Sequence, residues 1–278
     1  MVRLISIAVA SVTLGAALAP AGFAQTLQQR QWCDGKGSVS PDQQISGCTA
    51  IIEARHDGPG ILANAYNNRA GAYFSLGQHN RAIEDLDRAI ELDPNYAHAF
   101  NHRGSVYQSI GQDERAIQDF DWAIKLDPKL ASAFFHRANA YAALGQHERA
   151  IQDFDQAIKL DPNYDSAFNN RCLHRAAVGQ LQEALVDCNQ ALWLRPHRGR
   201  ATTLNVRGIT YLKMNQLDAA IADFDAALAL APQNPSSLYG RGVSKLKKGD
   251  AAGGNADIGA AKAIKADIAD EFARYGLR

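Results

Sequence analysis

The stretch that decides the fold runs from Ala97 to Pro128, AHAFNHRGSVYQSIGQDERAIQDFDWAIKLDP. A near-copy, ASAFFHRANAYAALGQHERAIQDFDQAIKLDP, runs from Ala131 to Pro162. Each copy has two halves with apolar residues at helical spacing, a Gly-Gln between them and an Asp-Pro at the end. A glycine ends a helix readily because it accepts the left-handed conformation, and proline stops the next one because it lacks the donor a helix interior needs. Each copy is therefore predicted as two antiparallel helices. Outward from this pair the glycines Gly77, Gly111, Gly145 and Gly179 fall 34 residues apart, so the copies are members of an array.

Units starting at Ala63, Ala97, Ala131 and Asp165, then at Ala201 and Pro235 after an insertion of Gly199 and Arg200, bring six copies into register. An aromatic or Leu stands fourth (Tyr66, Phe100, Phe134, Phe168, Leu204, Leu238). A small residue stands eighth (Ala70, Gly104, Ala138, Cys172, Gly208, Gly242), where it lets two helices approach. Alanine recurs at the twentieth and twenty-seventh places, and Pro94, Pro128, Pro162, Pro196 and Pro232 close five units. A helical hairpin of this size cannot bury its apolar face alone, so stacking on its neighbours is what makes the core.

From Ala63 to Asp267 this pattern resembles the tetratricopeptide repeat (TPR) family. The resemblance implies an all-α fold: a right-handed α-solenoid, or superhelix, of tandem helix-turn-helix hairpins whose first helices line a concave groove. Both ends depart from the pattern as caps do. Ser40-Pro41-Asp42-Gln43 is a capping box with proline at the first helical position, followed by Ile45, Cys48, Ile51 and Ile52 at helical spacing. This reads as an N-terminal half-repeat cap. At the other end Ile264, Ile268 and Phe272 form an apolar stripe, read as a degenerate repeat running into a C-terminal capping helix. The expected organisation is a signal peptide over 1–24, a cap with a disulfide-stapled leader over 25–62, repeats 1–4 over 63–198, repeat 5 over 199–234, and repeat 6 with the capping helix over 235–278.

The signal peptide is read from Arg3, the uncharged run from Leu4 to Ala19, and Gly22 and Ala24 placed for cleavage before Gln25. The chain is therefore expected to be periplasmic or secreted, with no stable membrane insertion after cleavage. Lys plus Arg total 29 and Asp plus Glu total 29, so no net field draws the chain to nucleic acid.

Export makes the four cysteines readable as disulfides. Cys172 and Cys188 hold the eighth and twenty-fourth places of one unit, which face each other across the hairpin. They are read as a staple, the alternative being two buried thiols. Cys33 and Cys48 then pair by elimination, fastening an irregular leader, Trp32 to Ser38, onto the cap helix.

Arginine recurs at the seventh place (Arg69, Arg103, Arg137, Arg171, Arg207, Arg241) and aspartate at the twenty-third (Asp85, Asp119, Asp153, Asp187, Asp223, Asp257). Since the resembled family usually has Leu at the seventh place, two opposite sixfold series are read as a structural ion-pair ladder that fixes register, against the plainer reading of a solvated charged stripe. The resemblance further implies a peptide-binding groove lined by places two, five, nine, twelve and thirteen of the first helices, including Asn67, Asn101, Phe135, Asn169, Asn205 and Tyr239 at the fifth, with Phe74 nearby. Asparagine amides both donate to and accept from a peptide backbone. No unit carries the fifth-place Lys of the family's carboxylate clamp.

His98 and His102, four apart, and His136 are read as surface histidines, and no metal or cofactor is expected. Catalytic signatures such as a phosphate loop or a Gly-x-Ser-x-Gly elbow are missing from the sequence. The expected function is a non-catalytic exported scaffold that binds a protein or peptide. Its alternatives are a chaperone-like or structural envelope protein without one ligand and, further off, a metal or small-ligand protein.

Overall fold

The structure, a computed structural model, describes residues 21–54, 57–194, 199–274 and 276–277, excluding the side chains of 21–26 and 274. The hydrophobic run of the expected signal peptide, 4–19, lies outside the described residues. Among the described residues there are fifteen helices and no strand.

A cap hairpin, α1 (Ala21–Cys33) and α2 (Pro41–Ala54), precedes six further hairpins. These are α3 (Pro59–Ser75) with α4 (His79–Leu92), α5 (Ala97–Ser109) with α6 (Asp113–Leu126), and α7 (Ala131–Ala143) with α8 (His147–Leu160). Next come α9 (Asp165–Ala177) with α10 (Leu181–Leu194), α11 (Arg200–Lys213) with α12 (Leu217–Leu230), and α13 (Pro235–Lys248) with α14 (Ala251–Ile264). A short α15 (Ile268–Arg274) closes the chain. Each helix packs on the next in sequence, and first helices of neighbouring units also touch: α3 on α5, α5 on α7, α9 on α11, α11 on α13. The result is a right-handed α-solenoid with its first helices on the inner side.

The turn inside every hairpin needs one residue with positive φ. Gly77, Gly111, Gly145, Gly179 and Gly249 supply it at φ 71° to 94°, and Asn215 stands in at 57° in the fifth unit. Asparagine is among the few residues with a Cβ that tolerate this region. Between hairpins, the Asp of Asp-Pro turns its carboxylate onto the backbone: the N–H groups of Asn95, Lys129 and Asn163 donate to Asp93, Asp127 and Asp161 Oδ1 at 3.0 Å. An Asx-turn of this kind fixes the re-entry of the next helix.

Inside each hairpin a large twenty-fourth residue meets a small eighth one. Phe120, Phe154 and Phe224 are wholly buried. A Cβ added to Gly104 would lie 2.6 Å from the Phe120 ring, and one added to Gly208 would lie 2.8 Å from Phe224. In the fourth unit this pair is replaced by the disulfide Cys172–Cys188, wholly buried against Val206 of the next unit. The second disulfide, Cys33–Cys48, ties α1 to α2.

The elements differ from the sequence reading at three places. Trp32 and Cys33 are the last turn of α1 rather than irregular leader, so the cap is a whole hairpin; α1 is polar and shows no apolar periodicity to read. α3 starts at Pro59, one turn before Ala63, with proline at its first position. Ile264 does not share a stripe with Ile268 and Phe272: the chain breaks at Lys265, leaving Ile264 half exposed on α14 while Ile268 and Phe272 are wholly buried.

Candidate functional site

Two polar systems run along the solenoid, one in the seam between first and second helices and one along the inner face. In the seam, every seventh-place Arg forms a two-pronged bond with the twenty-third-place Asp of its own hairpin. Arg69 reaches Asp85 at 2.7 and 2.7 Å, Arg103 reaches Asp119 at 2.8 and 2.7 Å, and Arg137 reaches Asp153 at 2.7 and 2.7 Å. Arg171 reaches Asp187 at 2.9 and 2.6 Å, Arg207 reaches Asp223 at 2.7 and 2.7 Å, and Arg241 reaches Asp257 at 2.7 and 2.6 Å. The remaining nitrogen donates backwards to the preceding unit: to Asp87, Asp121, Asp155, Asn189 or Asp225 at 2.6–2.7 Å, and to Thr49 of the cap at 2.9 Å. One guanidinium thus joins three helices, and its hydrogen bonds to the paired carboxylate hold Arg103 or Arg241 charged above the ordinary arginine value. Three of the five N–H donors of each guanidinium are thus engaged within the seam.

The fifth-place residues do not stand on the open face. Asn67, Asn101 and Asn205 are buried, Phe135 packs on Tyr164 at 4.7 Å, and Tyr239 packs on Phe272 at 4.7 Å. Asn169 is half-buried, its Oδ1 lying inside without a partner, as does that of Asn101. Of the seven expected groove residues only Phe74 is exposed. Helical spacing explains this: the first, fifth and eighth places lie on one stripe, and the first and eighth are the buried alanines Ala63 and Ala70 in the first unit. The fifth place also meets the neighbouring first helix: Asn67 Oδ1 lies against His102 Nδ1, and Asn205 Oδ1 accepts from Ser237 Oγ.

The open stripe is the second, sixth, ninth and thirteenth places. On it stand Asn64, Asn68, His98, His102, Ser132, His136, Asn139, Ser166 and Asn170, all half-buried or exposed. They bond from one first helix to the next: His102 Nδ1 lies 2.8 Å from Asn67 Oδ1, and Asn170 Nδ2 donates to Asn139 Oδ1 at 2.8 Å. Burial, and secondarily the neighbouring His102, pushes His136 down to about 4, while burial and then His98 lower His102. Both imidazoles are neutral at pH 7. Since the only Lys, Arg, Asp or Glu residues of α3, α5 and α7 are Arg69, Arg103 and Arg137, all spent in the seam, this stretch of inner face is uncharged. The second, ninth and thirteenth places are among those the resemblance implies for the groove; the signal for the sixth lay in the small residues at the first and eighth places.

Two further facts bound the chemistry. Among the described residues no three His, Cys, Asp or Glu side chains converge as a metal site, and no helix is long and apolar enough to cross a membrane.

The sequence matches family profiles described as TPR repeat over residues 70–111 and 107–145, and as tetratricopeptide repeat over 131–164 and 201–234. No protein of curated function matches it. Among solved structures it is similar to YrrB, described as a TPR protein with an unusual peptide-binding site, at 26% identity and TM-score 0.56, covering 69% of this chain and 95% of that one. A tetratricopeptide repeat protein from Parabacteroides merdae ATCC 43184 matches at 17% identity and TM-score 0.66, over 92% of this chain and 99% of its own. Cut9 with Hcn1, of the APC/C, matches at 15% and TM-score 0.70, over 91% and 52%; at these lower identities the likeness is one of fold. With repeat profiles, hairpin geometry and structural neighbours in agreement, the chain belongs to the tetratricopeptide repeat family.

Proposed function

We propose that this chain is an exported, non-catalytic scaffold that holds an extended stretch of a partner polypeptide along the inner face of α3, α5, α7 and α9. The observation that carries the reading is the open stripe itself: uncharged amides, hydroxyls and imidazoles repeated from unit to unit, with the arginines withdrawn into the seam. Such groups match the donors and acceptors of a peptide backbone, which repeat whatever the side chains are. The surface offers little to discriminate charged partners, so specificity falls to Phe74 and to the shape of the groove. Similarity to a protein described as peptide-binding agrees with this. Two buried disulfides agree with an oxidising compartment.

The test is binding of extended, uncharged peptides from a panel, read by fluorescence anisotropy against the full mature chain. Ser132→Arg with Ser166→Arg places charge and bulk on the open stripe at two side chains of the second place. Binding lost in this variant, with unchanged circular dichroism and melting, supports the inner face as the site. Equal binding by variant and wild type moves the site to the second helices.

A further inference from the structure

We propose that His98 and His102 form a two-histidine site for a divalent transition metal of the zinc class on the inner face of α5. The inference goes beyond polypeptide binding and stands independently of it. Both residues lie on α5, four apart, and side chains at that spacing stand one above the other on a helix face. Both are exposed.

The tautomer of His102 is fixed by a chain of hydrogen bonds. Buried Asn67 donates its Nδ2 to Asn68 Oδ1 at 3.3 Å, so its Oδ1 is the acceptor that faces His102 Nδ1 at 2.8 Å. His102 Nδ1 therefore carries the proton and donates, leaving the lone pair on Nε2. A ligating histidine is characteristically held in this way, through a hydrogen bond from its other nitrogen to a carbonyl. His98 sits in the first turn of α5, on the same face as His102. Its ring meets Tyr96 edge-on at 6.2 Å, which limits its swing.

Among the described residues no third ligand converges with the pair, so the remaining coordination positions stay open to solvent. Without a glutamate beside the pair there is no general base, and the site binds metal without hydrolytic chemistry.

The experiment is isothermal titration of the full mature, tag-free chain with Zn2+ alone at pH 7.5, with the Co2+ visible spectrum as a second reading. The expected result is one equivalent bound, with affinity falling at least tenfold in His98→Ala and in His102→Ala. Asn67→Leu, which removes only the group that positions His102, is expected to weaken binding without abolishing it. Should His102→Ala or Asn67→Leu fail to fold, His98→Ala decides, since its ring supports no buried contact. Absence of binding by the wild type, or binding undiminished in His98→Ala, overturns the proposal.

Discussion

The seventh-place arginine bears most on stability at the scale of single residues. Arg137 neutralises Asp153, which is nearly buried, and Asp121 of the preceding unit. Arg137→Leu restores the side chain usual in the family but strands a buried carboxylate, and removing one partner of such a pair costs about 3 kcal/mol. A lower melting temperature is expected, largely restored when Asp153→Leu is added. An unchanged melting temperature in the single variant would show the pair to be solvated and idle. His174 gives a second prediction. It stacks on His147 at 5.1 Å and on Phe154 at 5.9 Å, and burial, followed by His147, holds it down to about 4. Above the ordinary histidine value, 6.5, both folded and unfolded states are neutral and stability is complete. As pH falls from there toward 4 the unfolded chain takes a proton that the folded chain refuses, so stability is lost across that window. The melting temperature is expected to drop between pH 6.5 and 5, and to drop less in His174→Phe; parallel curves would exclude His174 as the cause.

At the scale of helices, the fourth hairpin is the instructive one. Elsewhere a phenylalanine, leucine or isoleucine fills the space opposite the small eighth residue; here a disulfide does, closing a loop with a sequence separation of 16. A bridge of that span is worth about 3 kcal/mol, through the entropy of the unfolded chain. Replacing Cys172 and Cys188 together by alanine is expected to destabilise the α9–α10 hairpin and its contact with α11 first. Hydrogen exchange read helix by helix checks this, and uniform loss of protection across the array would contradict it. Hairpin boundaries were legible in the sequence because turn chemistry marks them: glycine at the fifteenth place, Asp-Pro at the end. The cap helix α1 was not, because a polar helix held by one disulfide and the Arg30–Asp57 pair has no periodic signature.

For the whole molecule, an array whose inner face is uncharged across α3, α5 and α7 should bind polypeptide there with little dependence on salt, because no ion pair is made or screened. Raising salt from 0.05 to 0.5 M, on the order of a threefold shortening of the screening length, is expected to change peptide affinity less than threefold; a tenfold loss would point to charged contacts elsewhere. The solenoid could be read from the sequence because each unit repeats the same steric solution. Of the groove places that the resemblance implies, the fifth is taken up in packing between helices, while the second, ninth and thirteenth lie open. The buried alanines at the first and eighth places already assigned that stripe to packing, leaving the second, sixth, ninth and thirteenth places open. Asn68, His136 and Asn170 stand on that open stripe; Asn101 and Asn205 are buried.

The most direct test of the account is affinity capture from the exported fraction with the full mature chain, comparing wild type, the Ser132→Arg, Ser166→Arg variant and a Val186→Asp variant on the outer face of α10. The account predicts a discrete partner retained by wild type and Val186→Asp and lost by the double arginine variant. A partner that stays with the double variant and leaves with Val186→Asp would contradict it.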